Sequence, residues 1–154
     1  MQDARIQIIL NHYGKPHQRL KLIEEIGEML AEVGRYIADG GRRTNKADII
    51  SELADVVIVI GQLYPEAGKS TRKIPEGYDV ARKLCEKAAA LASVVAGEPY
   101  EKIELSYAEL TLCLIGLFAR ELAEVPMLEM AIEQKLDRQI GRILKAEGFD
   151  GSSR

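Results

Sequence analysis

Two pairs of acidic residues with matching spacing are the part of this sequence best suited to chemistry. Glu25 and Glu28 form one pair and Glu52 and Asp55 form the other, and in each pair the acids stand three positions apart. Residues three apart share one face of a helix, so each pair can aim two carboxylates in one direction. Four carboxylates repel one another unless a cation screens them, and Mg²⁺ prefers oxygen ligands of this kind. The pairs therefore predict a magnesium site, provided that their two segments fold against each other.

The second pair lies in a segment, residues 46–63, that is apolar almost all round. Its β-branched run Val56–Ile60 would also suit a buried strand. We predict a helix, because the polar side chains keep helical period and fall within about 80° on a helical wheel: Asp48, Glu52, Asp55 and Gln62. An unpaired buried charge costs several kcal/mol, so the acids of this helix need a cation or a hydrogen-bond donor.

The first pair, with Glu24 beside it, is weaker evidence, because acids three apart are common on solvated helix faces. Structural salt bridges are the alternative to a metal site. A ferritin-like di-iron site requires Glu-x-x-His motifs, and neither His12 nor His17 follows a Glu by three. Zinc is disfavoured since there is no His/Cys cluster, and neither a Ser-His-Asp set nor a phosphate-binding G-x-x-x-x-G-K-[ST] loop is present.

Hydrophobic periodicity predicts the elements that position these acids. We expect helices over residues 3–13, 17–38, 46–63, 76–96, 100–124 and 126–147, with Asp3 and Asn45 as N-caps. The predicted core stripe of the second helix leaves its glutamates outside the core: Leu20, Ile23, Ile26, Gly27, Leu30, Val33, Gly34 and Ile37. The fifth helix is expected to turn seven residues inward: Ile103, Tyr107, Leu110, Leu114, Leu117, Phe118 and Leu122. The expected fold class is all-α, a five- or six-helix bundle, with one domain over residues 1–148 and a loose tail at 149–154.

Composition limits the classes of function. The chain has 154 residues, 47% apolar and 29% charged, which suits one globular domain. A net charge of -3 provides no basic field for nucleic acid. The N-terminus lacks a signal-peptide core with a cleavage site, and no apolar run is long enough to span a membrane, so we expect a cytoplasmic protein without a membrane partner. Cys85 and Cys113 fall in apolar helical patterns and are expected to be buried thiols.

These residues carry a resemblance to a known family. The pattern Glu24-Glu25-x-x-Glu28, then 23 residues, then Glu52-x-x-Asp55 resembles the signature of the MazG-like all-α nucleoside triphosphate pyrophosphohydrolases. Tyr13-Gly14 ahead of Gln18, Ala54-Asp55-Val56 and Gln62-Leu63 agree with it. The stretch Lys135-Leu136-Asp137-Arg138-Gln139 with Arg142 is similar to the basic last helix of phage-like and bacterial members. The resemblance covers residues 13–63 and about 132–143, and residues 65–125 match nothing specific.

The resemblance implies an activity, a cofactor and an assembly. Members hydrolyse nucleoside triphosphates, often deoxy or non-canonical ones, to the monophosphate and pyrophosphate with Mg²⁺, for which Mn²⁺ is a possible substitute. Carried over by position, the metal ligands would be Glu25, Glu28, Glu52 and Asp55. Glu25 would also be catalytic, and Glu24 is a candidate general base whose alternative is an exposed surface residue. Members are commonly homodimers or homotetramers.

Basic and polar residues supply candidates for binding the substrate. Lys135, Arg138 and Arg142 share one stripe of the last helix and could clamp phosphates, an ordinary solvated face being the alternative. Gln18 and Lys21, one or two turns ahead of Glu25, could reach a base or a phosphate. Weaker candidates are the basic loop at residues 42–46 and three tyrosines that could stack on a base but are more typical of packing: Tyr13, Tyr64 and Tyr107.

The function expected from these observations is that of a Mg²⁺-dependent nucleotide pyrophosphohydrolase acting in nucleotide-pool sanitation. One rival is a non-catalytic helical oligomerisation or regulatory module whose acids form structural salt bridges. A weaker one is an acidic binder of a basic partner. The acids within the apolar third helix favour the enzyme, because a helix used only for packing gains nothing from them. The apolar surface of the fourth and fifth helices leads us to expect an oligomer.

Overall fold

A computed structural model describes residues 3–42, 46–69, 79–99 and 101–148 of the chain. These residues form α-helices and a short 3₁₀ turn, Pro65–Lys69, with no strand among them. The helices are α1 (Ala4–Tyr13), α2 (Lys15–Ala38), α3 (Lys46–Leu63), α4 (Val80–Ala96), α5 (Glu101–Glu121) and α6 (Val125–Ala146). The predicted all-α class is confirmed for this part of the chain, and the run Val56–Ile60 is helical.

Local signals set most of the helix ends. The Asp3 carboxylate caps α1 by accepting a hydrogen bond from the Arg5 backbone N–H at 2.9 Å, as predicted. Gly14, at φ 86°, ends α1, and Pro16 stands in the first turn of α2, which therefore begins two residues before its predicted start. Helix α5 stops at Glu121, three residues earlier than predicted, because Ala123 takes a left-handed φ of 58°. Other predicted features lie outside the described residues: the Asn45 cap, the start of the fourth helix at 76–78, Tyr100 and the tail at 149–154.

Four helices build the main core. Helix α2 packs against α3 and α4, and α4 packs against α5. The apolar faces of α4 and α5 are buried inside the same chain, with the side chains of Leu84, Leu91, Leu114 and Phe118 fully enclosed. The bundle itself therefore covers much of the apolar surface of these two helices, although Ile103 of α5 stays exposed. Cys85 and Cys113 are thiols as predicted, but both are half-buried rather than buried.

A second, smaller core forms on the other side of α3, where α1 and α6 pack: Ile6, Ile9, Ile58, Leu136 and Ile143. Arg5 ties α1 to α6 through ion pairs with Glu133 at 2.8 Å and Asp137 at 2.7 Å. Helix α3 therefore has apolar neighbours on both sides, which explains why its sequence is apolar almost all round. None of the described helices is both long and apolar enough to cross a membrane.

The predicted core stripe of α2 is partly wrong. Leu20 is 70% exposed and Gly27 is exposed, whereas the residues that are fully enclosed are Leu22, Ile26, Met29 and Val33. Because α2 contacts α3 on one side and α4 on another, its buried face is turned toward α3 and takes in Gln18 and Glu25 as well. Likewise Ile103 of α5 is 44% exposed, and Glu104 takes the inward position beside it.

Candidate metal centre

The two acid pairs meet where α2 crosses α3. One carboxylate oxygen from each of Glu25, Glu28, Glu52 and Asp55 lies within 4.8 Å of the other three. The two helices run antiparallel here: Gln18, near the start of α2, donates a hydrogen bond to Gln62, near the end of α3. Oxygens on opposite sides of a Mg²⁺ ion lie about 4 Å apart, so small side-chain movements would close the cluster around one. The structure thus brings together all four predicted ligands.

Burial and mutual repulsion shape the protonation of this cluster. Glu25 is 7% exposed, Glu52 and Asp55 are half-buried, and Glu28 is exposed. Burial, then the negative charge of Asp55, raises the pKa of Glu25 to about 7, against the opposing effect of Lys21. Burial, followed by the charges of Asp55 and Glu28, raises the pKa of Glu52 to about 7. Without a cation, these two carboxyl groups therefore bind protons more readily than an ordinary glutamate does, and each is partly ionised near neutral pH.

Two buried oxygens of the cluster have no hydrogen-bond partner, Glu25 Oε2 and Glu52 Oε2. A buried polar atom left without a partner costs roughly 1–3 kcal/mol, so such atoms indicate a ligand that completes the site. A set made only of carboxylates fits a hard divalent cation and does not fit zinc. The residues present therefore fit Mg²⁺, and Glu25, Glu28, Glu52 and Asp55 are the ones that could hold it.

Two lysines reach into the same cluster. Lys21 Nζ lies 3.1 Å from Glu25 Oε1 and 3.3 Å from the partly exposed Glu24. Lys135 Nζ, from α6, lies 2.9 Å from Asp55 Oδ1. Salt bridges therefore account for part of the acid cluster. Within the described ranges, however, no lysine or arginine pairs with the other two acids, Glu28 and Glu52.

A polar cavity of about 360 Å³ opens beside the acids. Its walls come from α1, α2, α3 and α6, and its lining includes Tyr13, His17, Gln18, Lys21, Glu24, Glu25, Asp55, Lys135, Arg138 and Arg142. All four residues that the sequence predicts for substrate binding, Gln18, Lys21, Lys135 and Arg138, thus line one cavity. Gln18 also braces the bundle, since it is 3% exposed and hydrogen-bonds to both Gln62 and His17.

Of the weaker sequence candidates, one tyrosine lines the polar cavity and the others pack elsewhere. Tyr13 lines the polar cavity and stacks on His17 with ring centroids 5.1 Å apart. Tyr64 and Tyr107 pack against the main core, as the packing alternative predicts. Of the basic loop, Lys46 donates a hydrogen bond to the Leu122 carbonyl at 3.0 Å and so lies against the end of α5 rather than over the cavity. Arg43, Thr44 and Asn45 lie outside the described residues.

A second, apolar cavity of about 890 Å³ was not predicted from the sequence. Its lining is mainly aliphatic and proline side chains and includes Leu20, Ile23, Leu63, Val95 and Leu105. Two charged residues of its wall form an ion pair: Arg19 Nη1 lies 2.5 Å from Glu104 Oε1, and the Tyr64 hydroxyl donates to the same oxygen at 2.6 Å. The sequence feature that could have indicated this buried ion pair is the position of Glu104. It stands four residues before Ala108 and so shares the buried face of α5.

The acid cluster and the polar cavity together suit a polyanion held with a metal ion. Four carboxylates can hold the cation, and the lysines and arginines of the neighbouring wall offer donors to anionic oxygens. No protein-family model matches this chain, and no curated protein or solved structure does either. The function proposed for the protein therefore depends on the chemistry of these residues and on the sequence resemblance.

Proposed function

We propose that the protein is a Mg²⁺-dependent nucleoside triphosphate pyrophosphohydrolase of the MazG-like type. It converts a (deoxy)nucleoside triphosphate and water to the monophosphate and pyrophosphate, and acts in nucleotide-pool sanitation in the cytoplasm. The observation that carries this proposal is the acid cluster, two of whose buried oxygens have no partner, opening onto a cavity lined by Lys135, Arg138 and Arg142. A triphosphate with its metal ion matches both halves of that arrangement in charge.

Each group of side chains has a task in this reaction. When bound, Mg²⁺ neutralises phosphate charge and lowers the pKa of water. Glu25, Glu28, Glu52 and Asp55 would hold the ion. Phosphoryl chemistry depends mostly on positioning and electrostatics, so cations in the cavity wall supply much of the rest.

The polar cavity also supplies the cations and a base for the substrate. Arg138 can bind two phosphate oxygens at once, while Lys21 and Lys135 act as compact point charges. Glu24, whose side chain is 56% exposed at the cavity wall, is the general base in this proposal, and its place in the lining supports that role.

The non-catalytic alternative has one observation in its favour. Lys21 and Lys135 form salt bridges with Glu25 and Asp55, as a helical module with structural ion pairs would require. That module gives no role to Glu52, which is half-buried, carries a partnerless oxygen and has its pKa raised to about 7 by burial and neighbouring acids. A half-buried carboxylate beside other acids destabilises a purely structural helix pair, because burial and the neighbouring negative charges disfavour its ionised form.

The deciding experiment is an assay of the purified protein with a panel of ribo- and deoxyribonucleoside triphosphates. It is run with Mg²⁺, with Mn²⁺ and with a chelator, and the products are separated by ion-exchange chromatography. We expect monophosphate and pyrophosphate in equal amounts, dependent on the metal. Release of orthophosphate would indicate cleavage of a different bond. If no nucleotide of the panel is hydrolysed, the proposal is overturned.

A homodimer or homotetramer is part of the same proposal. The support for it is a small number of exposed apolar side chains, among them Leu20, Ile103, Met127 and Met130. Size-exclusion chromatography with light scattering measures the mass of the particle directly. A mass of 17.1 kDa, that of one chain, at all concentrations would contradict the expected assembly.

A further inference from the structure

The two lysines of the polar cavity occupy positions for which a metal ion would compete. Lys21 Nζ lies 3.1 Å from Glu25, and Lys135 Nζ lies 2.9 Å from Asp55. Both carboxylates belong to the four whose oxygens lie within 4.8 Å of one another. A divalent cation among those oxygens would stand close to both ammonium groups, and like charges at such a distance repel strongly.

Each lysine has a second place to go. Both side chains line the polar cavity, together with Arg138 and Arg142. A lysine carries a compact charge with three donors on a flexible four-carbon stem, so rotation within the stem can exchange one anionic partner for another. Lys21 comes from α2 and Lys135 from α6, so an anion in the cavity could be approached from two helices.

We infer that Lys21 and Lys135 exchange partners when the metal binds. In the metal-free protein they neutralise Glu25 and Asp55, and when Mg²⁺ takes those carboxylates the lysines turn to a phosphate-class anion in the polar cavity. The inference rests on the proposed function for its metal and its anion, and adds a coupling between them. Metal and anion then bind with positive cooperativity, and the coupling is equal in both directions.

The test is calorimetric titration of the full chain, first with MgCl₂ alone and then with inorganic pyrophosphate in excess Mg²⁺. The variant is Lys135→Met, which keeps the length of the stem and removes the charge. Because the lysine competes with the metal but attracts the anion, we expect opposite effects in one variant. The Mg²⁺ affinity should rise about three- to tenfold, and the affinity for pyrophosphate should fall about tenfold.

The matched control is Lys145→Met, which removes the same charge from the exposed last turn of α6. We expect it to change either affinity by less than about twofold, since exposed charges are screened by solvent. Overturning the inference requires only one observation on Lys135→Met: Mg²⁺ affinity no higher than in the wild type, or unchanged pyrophosphate affinity.

A measurement on the wild-type protein keeps the inference testable if the variant does not fold. Reductive methylation followed by mass spectrometry reports how available each lysine is. Mg²⁺ alone should raise the labelling rate of Lys21 and Lys135 several-fold, and pyrophosphate should lower it again, while exposed Lys102 stays constant. Equal labelling of the two cavity lysines with and without Mg²⁺ would refute the exchange.

These outcomes separate the inference from the proposed function. Pyrophosphate reports binding without requiring any triphosphate to be hydrolysed. Lysine exchange without turnover of any nucleotide would overturn the proposed function alone. Turnover without exchange would overturn the inference alone.

Discussion

Two cavities described above lie against different faces of α2. They differ in whether the buried carboxylates in their walls have hydrogen-bond partners. The polar cavity meets α2 at Gln18, Lys21 and Glu25, and the apolar cavity meets it at Leu20 and Ile23. The apolar cavity is the larger, about 890 Å³ against about 360 Å³. The smaller, polar cavity is the one that adjoins the four carboxylates that could hold a metal ion.

The state of the buried carboxylates separates the two regions. Glu104, 1% exposed in the wall of the apolar cavity, accepts hydrogen bonds from both Arg19 and Tyr64. Hydrogen bonding to Glu104 raises the pKa of Arg19, and burial beside Glu104 raises that of Tyr64, so Arg19 stays positively charged and Tyr64 stays neutral. In the acid cluster, Glu25 and Glu52 are instead pushed toward their protonated forms. A satisfied buried network stabilises the fold, whereas the acid cluster keeps buried oxygens without a hydrogen-bond partner and could hold a metal ion.

The largest effect that the comparison predicts is on catalysis. Glu52→Gln removes a charged ligand while keeping its size, and we expect turnover to fall by roughly a hundredfold or more with helical content retained. Glu66→Gln, in the wall of the apolar cavity, is the matched control and should keep full turnover. Steady-state kinetics and circular dichroism measure the two quantities. Full activity in Glu52→Gln would show that the ligand assignment is wrong.

The next effect is on stability and comes from the other cavity. Glu104→Gln removes the buried negative charge that faces Arg19, and breaking such an ion pair costs roughly 3 kcal/mol of unfolding free energy. Urea denaturation measures that loss, with exposed Glu101→Gln as the control, for which we expect a change within about 0.5 kcal/mol. The Mg²⁺ affinity of the folded variant should stay as in the wild type. A stability loss no greater than that of the control would mean that the network does not stabilise the bundle.

A smaller effect is expected from pH. Glu25 and Glu52 have folded pKa values of about 7 against an ordinary 4.5, so the folded protein binds more protons than the unfolded chain between those values. Their contribution to stability is therefore full below about pH 4.5 and is lost as the pH rises through 7. The melting temperature of the metal-free protein should rise as the pH is lowered from 8 to 6, and Mg²⁺ should stabilise the protein most at pH 8.

Glu52→Gln is the control for this pH dependence. It removes one of the two titrating groups, so the change in melting temperature between pH 8 and pH 6 should be smaller than in the wild type. Differential scanning fluorimetry with a chelator or with Mg²⁺ measures all four conditions. A metal-free protein that melts at the same temperature at both pH values would contradict the repulsion within the acid cluster.

The smallest effect is expected on the rim of the apolar cavity. Leu20 is 70% exposed, so Leu20→Ser should change the unfolding free energy by no more than about 0.5 kcal/mol. Mg²⁺ affinity should be unchanged, because the side chain points away from the acid cluster. Calorimetry and urea denaturation test both expectations. A clear loss of Mg²⁺ affinity would show that the two faces of α2 are coupled.

The helices were largely predictable because their signals are local. Periodicity, the Asp3 cap and the breaks near Gly14 depend on residues a few positions apart, which the printed sequence contains directly. The buried face of α2 was less predictable. Leu20 fits an apolar stripe on a helical wheel as well as Leu22 does, yet only Leu22 is enclosed, because the position of α4 and α3 decides which side is covered.

The candidate site likewise has features that local sequence predicts and features that it does not. The spacing of Glu52 and Asp55 within an apolar helix predicted that both acids share one direction, and this depends only on helical geometry. The ion pair between Asp55 and Lys135 joins residues far apart in the chain, so nothing local could have predicted it. The Arg19–Glu104 pair was missed for the same reason.

The sequence by itself determined that the chain forms helices and that two of them carry paired acids at matching spacing. Only the tertiary structure decided that Glu25, Glu28, Glu52 and Asp55 meet, with Lys21 and Lys135 as their counter-ions. The physical reason is that helical geometry fixes directions within one helix, whereas the crossing of two helices depends on how all their neighbours pack. In that packing Glu25 and Glu52 each have one buried oxygen without a hydrogen-bond partner. The cluster is therefore a candidate metal centre.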